Sequence, residues 1–239
     1  MRPRIAIPVP HSGDPAYAER VLPQYERAIE MAGGEPVRIP LDKSPEELRL
    51  LVESCHAVVL PGSKADVDPE KYGAARDIKT AAADTKREQT DYFLLRHAYA
   101  AKKPVLGICY GLQSLNVFRQ GTLVQHIESP VNHAAGSKVA VAHTVDVEPG
   151  SKLAVVVNSS GKSVPVNSSH HQSADAIGRE LRIVARSPQD GVIEALEGIS
   201  PDHFVVAVQW HPERSVDDDE PSLAIFRALV EAARQQRNT

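Results

Sequence analysis

The chain has 239 residues, 42% hydrophobic and 24% charged, which is enough apolar sequence for a substantial buried core. Its formal net charge of −4 comes without a basic stripe, which argues against nucleic acid as a partner. Prolines interrupt the N-terminal apolar residues, and no apolar run reaches the roughly 18 residues of a membrane helix, so neither an export signal nor a membrane span is expected.

The first half of the chain alternates between strand-like and helical patterns. The helix signals are local: Gly33 and Gly34 end the first helix, and Ser44, Pro45 and Glu47 form a capping box at the start of the second. Strands are predicted at 4–9, 35–41, 56–63 and 103–109, and helices at 16–34, 44–54 and 87–102. This alternation predicts a mainly parallel sheet with helices on both faces.

From about residue 138 the pattern changes to short β-rich runs, and part of the sheet there is expected to be antiparallel. These runs are 138–148, 153–158, 180–187, 191–197 and 204–210. A last helix is predicted at 221–237, with the acidic residues 217–220 at its positively polarised N-terminus; a cation site made from these acids is the less favoured alternative. No repeat or linker divides the chain, so residues 1–239 are predicted to form one α/β domain, a three-layer sandwich.

Only two cysteines occur, and neither belongs to a CxxC pair, so a reducing, cytoplasmic environment is expected. Cys55 precedes a strand without a helix start behind it, which favours a core position. Cys109 lies in LGICYGLQ, where a buried strand becomes a helix between Gly107 and Gly111. This arrangement predicts a nucleophile elbow with Cys109 at the carboxyl end of the sheet, and the helix N-terminus favours its thiolate.

A nucleophilic cysteine needs a base and a group that orients the base. The segment VVAVQWHPE offers both, because residues two apart on extended backbone share a side and Glu213 can therefore hold His211. A lone His-Pro at a strand end would be an ordinary surface turn, but the elbow elsewhere in the chain favours the catalytic interpretation.

Together GICYGLQ and QWHPE resemble the class I glutamine amidotransferase superfamily, whose members use a Cys-His-Glu triad on γ-glutamyl amides and whose sheet is flavodoxin-like. LPGSKADVDPEKYG, GTLVQHI, HTVDVEPGSKL, VNSSHHQ and LRIVARSPQDGVIEALE resemble its γ-glutamyl-γ-aminobutyrate hydrolase-like branch, and the resemblance extends from about residue 4 to 232. It implies Cys109 as nucleophile, His211 as general base and acid, Glu213 as its orienter, and the backbone N–H groups of Gly62 and Tyr110 as the oxyanion hole.

The same resemblance implies that Gln113 contacts the amino acid end of the substrate, assisted by Ser168 and Ser169; for the two serines a simple polar turn is an equally good interpretation. Some positions depart from the branch. Tyr110 stands where arginine is frequent, Gln120 replaces a glycine before Gly121, and His126 stands where aspartate is common. The triad is unaffected by these departures, whereas the choice of amine is left in doubt.

His170 and His171 suggest zinc, but adjacent residues on extended backbone face opposite ways and no third ligand follows at a nearby spacing. The resemblance likewise implies no metal and no cofactor. The sequence therefore predicts a cysteine hydrolase that cleaves a small γ-glutamyl conjugate to glutamate and an amine through a thioester. A glutaminase subunit serving a separate synthase and a silent binding module of the same fold are the alternatives, and an exposed helix could support a homodimer.

Overall fold

The computed structural model describes residues 2–159 and 163–236, and in this part of the chain a nine-stranded sheet takes strands from both halves of the sequence. Its order is β2-β1-β3-β4-β11-β10-β9-β6-β7, and β5 pairs with β8 in a separate two-stranded ribbon. The strands are β1 (Arg4–Pro8), β2 (Glu35–Ile39), β3 (Ala57–Leu60), β4 (Val105–Ile108), β5 (Leu123–Val124), β6 (His143–Val147), β7 (Val164–Val166), β8 (Ser173–Ala174), β9 (Leu181–Arg186), β10 (Ile193–Gly198) and β11 (Val205–Val208).

The first five strands in this order, β2, β1, β3, β4 and β11, pair in parallel, in the order that defines flavodoxin-like sheets. From β10 to β7 every pairing is antiparallel. The predicted α/β fold, with a mainly parallel flavodoxin-like sheet and added antiparallel strands in the C-terminal half, is thus confirmed. We refer below to β1–β4 and β11 as the parallel half and to β6, β7, β9 and β10 as the antiparallel half.

Helices cover both faces of the sheet. They are α1 (Pro15–Met31), α2 (Pro45–Glu53), α3 (Thr85–Ala100), α4 (Tyr110–Phe118), α5 (Lys152–Val157) and α6 (Glu220–Gln236). On one face, side chains of α1, α5 and α6 pack with Ile7, Ile108 and Val208; on the other, side chains of α2, α3 and α4 pack with Ala6 and Ala207. Because successive strand residues point to opposite faces, strands buried on both sides are apolar throughout.

The local end signals behave as predicted. Ser44 caps α2 in a capping box with Glu47 and Pro45 occupies the first turn, so the helix starts where its unpaired amides are satisfied. At the start of α6, the Asp219 side chain accepts from the Ser222 amide at 2.9 Å. Cys55 is buried in the core packed against α2 and α3, as expected. Among the described residues no helix has the length and apolar character needed to cross a bilayer.

Two predicted β-rich runs differ from the structure. Residues 153–158 lie mainly in α5, because Ser151 caps the helix by accepting from the Ala154 amide, while Leu153 and Val157, four residues apart, turn into the core. In the run 138–148 the strand begins only at His143. Val139 and Val141, which precede it, are exposed.

Candidate active site

Cys109 lies at the turn between β4 and α4 with φ 54° and ψ −107°, a conformation that is unusual for any residue other than glycine. A Cβ on Gly107 would lie 2.8 Å from the Gly111 carbonyl oxygen, and one on Gly111 would overlap the Leu60 carbonyl. The two glycines therefore let the chain turn sharply against its neighbours. This is the geometry of a nucleophile elbow, and it leaves the Cys109 side chain on the wall of a cavity.

His211 follows β11, the strand beside β4, and its Nδ1 lies 2.7 Å from Glu213 Oε1. Both side chains are buried. Asn167 fixes the backbone of His211 from both sides, accepting from its N–H at 3.0 Å and donating to its carbonyl at 2.8 Å. With Nδ1 held by a carboxylate, Nε2 remains for the thiol, as in other nucleophile–base–orienter arrangements.

Electrostatics favour a charged imidazole at this site. Burial by itself would lower the pKa of His211, but the negative charges of Glu213 and Cys109 outweigh it and raise that pKa to about 9. Burial likewise opposes ionisation of Glu213, yet the neighbouring His211 keeps the pKa of this carboxyl below its ordinary value. The buried Glu213 carboxylate thus favours the charged form of the His211 imidazole beside the Cys109 sulfur.

The triad opens into a cavity of about 430 Å³, a size typical of small-molecule sites. Its wall combines cations with an acid, since Arg20, Lys64 and Arg214 line it together with Asp66. Lys64 is paired with Asp14. Arg20 has no ionic partner among the residues that the structure describes; its guanidinium lies over the Tyr17 ring, with 5.7 Å between its central carbon and the ring centroid, so its charge is available to an anionic ligand.

The two predicted oxyanion donors differ from each other in whether their N–H already has an acceptor. α4 begins at Tyr110, so its N–H is one of the amides that a helix leaves without an internal acceptor. The Gly62 amide is close to the triad, because a Cβ on Gly62 would lie 2.9 Å from His211 Cε1 and 3.7 Å from Cys109 Cβ. However, this amide donates to the Tyr25 hydroxyl at 3.0 Å. Tyr25 is therefore a member of the site that the sequence did not indicate.

The three predicted substrate-binding residues have different outcomes. Gln113 lines the cavity and its amide donates to the Gln172 carbonyl at 3.1 Å. Ser169 also lines the cavity, and its hydroxyl accepts from Arg214 at 2.8 Å. Ser168 is not brought to the cavity: its side chain is fully buried and donates to the His133 carbonyl at 2.6 Å, because neighbours on extended backbone point opposite ways.

Two of the departures from the family pattern, at Tyr110 and His126, have identifiable contacts in the structure. The Tyr110 ring is buried with Val67, Val117 and Leu123, and the Arg87 guanidinium stacks on it with 4.9 Å between its central carbon and the ring centroid. This residue therefore contributes packing as well as a backbone amide.

His126 lies behind the cavity wall. Its Nδ1 is 3.4 Å from Nδ1 of His171, which lines the cavity and whose Nε2 lies 3.1 Å from Asp66 Oδ1. His170, by contrast, turns toward the antiparallel half, where its Nε2 lies 3.5 Å from Glu194. Both histidines line the cavity, but their Nε2 atoms contact different acids.

The Peptidase C26 family model matches residues 9–213 of the chain. A Mycobacterium tuberculosis protein, provisionally named a glutamine amidotransferase, is 41% identical over 87% of this chain, which spans 66% of that relative's length. The γ-glutamyl-γ-aminobutyrate hydrolase PuuD of Escherichia coli K12 is 32% identical over 87% of this chain and 84% of its own.

Solved structures agree on the fold. A Thermoplasma acidophilum protein, provisionally assigned as a GMP synthase subunit, superposes with a TM-score of 0.68 at 14% identity, covering 100% of this chain and 97% of its own. The PurLQS structure of Thermotoga maritima gives 0.63 at 20% identity, covering 97% of this chain and 99% of the matched chain. At these identities the likeness concerns the fold alone.

Proposed function

Because this chain belongs to the Peptidase C26 family, a class I glutamine amidotransferase-like family of hydrolases acting on amide bonds, we propose that it hydrolyses a small γ-glutamyl conjugate to glutamate and an amine. The observation that carries the proposal is the buried Cys109, His211 and Glu213 constellation at a cavity with cations on its wall. Since the glutamyl group and γ-aminobutyrate each bear a carboxylate, such cations suit both ends of this substrate.

In the proposed reaction, the Cys109 sulfur attacks the γ-carbonyl carbon and forms a tetrahedral oxyanion. The Tyr110 amide donates to that oxygen, and the second donor comes from the Gly62 and Tyr25 pair. When the C–N bond breaks, the amine takes a proton from His211 and a thioester remains on Cys109. Water then gives a proton to His211 and attacks the thioester; the C–S bond breaks, glutamate leaves, and the Cys109 sulfur is again beside a protonated His211.

We assign Arg20 and Arg214 to different carboxylates of the substrate. Arg214 is tied to Ser169 and lies 3.7 Å from Glu213, close to the reacting centre, so we assign it to the glutamyl carboxylate. Arg20 is exposed at the cavity wall, and we assign it to the carboxylate of the leaving group. A cytoplasmic location belongs to the proposal, since a free catalytic thiol persists best in a reducing compartment.

The test compares two substrates with the purified chain alone. We expect a higher kcat/KM for γ-glutamyl-γ-aminobutyrate than for glutamine, because contacts to the larger leaving group can act in the transition state. If neither substrate turns over until a synthase is added, and glutamine is then preferred, the chain is a glutaminase subunit. If an added synthase changes nothing and no substrate is cleaved, the chain is a binding module.

A further inference from the structure

A second cluster of chemically active groups lies in the antiparallel half, where His133, His143, His170 and Glu194 meet. All four are buried, and their nearest ligand atoms lie within 4.8 Å of one another. From Glu194 Oε1 the distances are 3.2 Å to His133 Nδ1 and 3.5 Å to Nε2 of both His143 and His170. Ligands about 2.0–2.1 Å from a tetrahedral zinc ion are separated by about 3.3 Å, so the three separations from Glu194 are close to the edge length of such a tetrahedron.

The outward nitrogen of each ring already has a partner. His143 Nδ1 lies 3.1 Å from the Thr144 carbonyl, and His170 Nδ1 lies 2.9 Å from the Gln172 carbonyl. A carbonyl oxygen only accepts, so both of these Nδ1 atoms carry a proton. His133 Nε2 lies 2.8 Å from an Asp190 carboxylate oxygen and donates to it in the same way. A neutral imidazole held like this presents a lone pair on its other nitrogen.

The inward atoms have no such partners. His133 Nδ1, His143 Nε2, His170 Nε2 and both Glu194 carboxylate oxygens are buried without a hydrogen bond. Three ring nitrogens thus approach one carboxylate at 3.2–3.5 Å without a hydrogen bond, in a region shielded from water, an arrangement that is unfavourable unless something positive lies between them. One additional proton would satisfy only a single pair, whereas a divalent cation satisfies all four ligands at once.

We propose that His133, His143, His170 and Glu194 bind one Zn²⁺ ion. Three imidazoles and a carboxylate suit zinc, whereas Ca²⁺ and Mg²⁺ prefer oxygen ligands. The charges also balance, because Glu194 and the Asp190 partner of His133 together neutralise the dication. Four protein ligands close the coordination shell, which makes this a structural site rather than a catalytic one. Metal-ligating histidines usually donate their other ring N–H to a carbonyl or a carboxylate, as these three rings do.

Such an ion would hold the wall of the active-site cavity in place. His133 lies in the connection 125–142, which has no helix or strand; His143 opens β6; and Glu194 lies on β10. His170 belongs to the segment 167–172, whose residues Ser169, His170 and Gln172 line the cavity. Zinc would therefore pin two irregular segments to the sheet beside the triad. This departs from the expectation of no metal, which considered only ligands at nearby spacing, whereas these come from four separate segments.

The experiment measures the zinc content of the full chain by mass spectrometry after purification without chelators. We expect about one zinc per chain, and the same in a Cys109→Ser variant, which removes the thiol of the active site as a zinc ligand. His143→Ala and His170→Ala should lose the metal. His203→Gln is the matched control, because His203 is a buried histidine that donates to the Lys103 carbonyl outside the cluster, and it should keep the metal.

A measurement on the unmodified chain covers the case in which ligand variants fail to fold. Removing the metal with a chelator should lower Tm, one equivalent of Zn²⁺ should restore it, and Co²⁺ in its place should give the visible absorption of a tetrahedral site. A wild-type chain that takes up no zinc, or zinc that stays in both ligand variants and is lost from Cys109→Ser, would overturn the proposal. Every readout is independent of γ-glutamyl hydrolysis, so failure here and failure of the proposed function are distinguishable.

Discussion

The parallel and antiparallel halves of the sheet contribute to the same cavity in different ways. Cys109 and His211 follow the adjacent parallel strands β4 and β11, so a buried part of the fold positions the groups that we propose to react. The antiparallel half supplies Ser169, His170 and Gln172 from an irregular segment. In this proposal the reaction takes place where strand ends converge, while the segments that shape the cavity need separate support. Changes in the parallel half should affect kcat, and changes in the antiparallel half should affect KM or stability.

The largest effect is expected at the nucleophile and its base. Cys109→Ala and His211→Ala should each lower kcat by at least about 10⁴-fold, because triad members act as a unit. Steady-state rates of glutamate release measure this. Cys55→Ala is the matched control, since Cys55 is a buried cysteine remote from the cavity, and its kcat should stay within a few-fold of wild type. Wild-type turnover by Cys109→Ala would show that Cys109 is not the nucleophile.

A smaller but still large effect is expected at Glu213, which orients His211 through the 2.7 Å contact and takes no proton itself. Glu213→Gln should lower kcat by about 10²- to 10⁴-fold and leave measurable activity, as replacing the orienting acid does in related triads. Comparing kcat and KM in the same assay is sufficient. A change confined to KM would contradict the assigned role.

The pH profile sharpens the same point. His211 must be protonated to donate to the departing amine, and its pKa is raised to about 9, so kcat should fall as the pH rises through about 9. Because the Glu213 charge raises this pKa, the alkaline limb should move to lower pH in Glu213→Gln. An alkaline limb at the same pH in both proteins would show that it belongs to another group.

Arg20 tests the assignment of the leaving-group carboxylate. Arg20→Gln should raise KM for γ-glutamyl-γ-aminobutyrate by about 2- to 5-fold, the effect of losing one exposed ion pair, and leave glutamine unaffected. Arg27 is a matched control on the same helix, exposed and paired with Asp217 away from the cavity, and Arg27→Gln should change neither KM. An equal rise in KM for both substrates would show that Arg20 contacts the glutamyl carboxylate instead.

The smallest effects are expected at the neighbouring residues Ser168 and Ser169, and they differ in kind. Ser169→Ala frees Arg214 and should raise KM about 2- to 3-fold, the effect of losing one weak hydrogen bond. Ser168→Ala leaves KM unchanged and lowers the free energy of unfolding by about 1–2 kcal/mol, because the hydroxyl lost is buried on the His133 carbonyl. Denaturant unfolding and substrate kinetics on both variants check this. A raised KM in Ser168→Ala, with KM unchanged in Ser169→Ala, would show that Ser168 is the serine that contacts the substrate.

The sequence predicted most of the parallel half because its signals are local. Caps, glycines at the elbow and apolar strands each act within a few residues, and the HPE spacing alone brings Glu213 to His211. Where the antiparallel half was mispredicted, tertiary context decided: valines in 153–158 favour a strand, yet the Ser151 cap and burial of Leu153 give a helix.

The features that sequence reasoning missed depend on long-range contacts. Tyr25 reaches the Gly62 amide across 37 residues, and Asn167 holds His211 across 44. The only signal for Asn167 is its place beside Ser168 and Ser169 in VNSSHHQ. The histidine cluster draws on positions as far apart as 133 and 194, so no local spacing could reveal it.

Trapping the covalent intermediate tests the central claim most directly. Protein mixed with a γ-glutamyl amide would be quenched in acid during the first turnover, digested and mapped by mass spectrometry. We predict one glutamyl group as a thioester on the peptide that contains Cys109, removable by hydroxylamine and absent from Cys109→Ala. A glutamyl group on any other residue, or turnover without any adduct when hydrolysis of the intermediate is rate-limiting, would contradict covalent catalysis by Cys109.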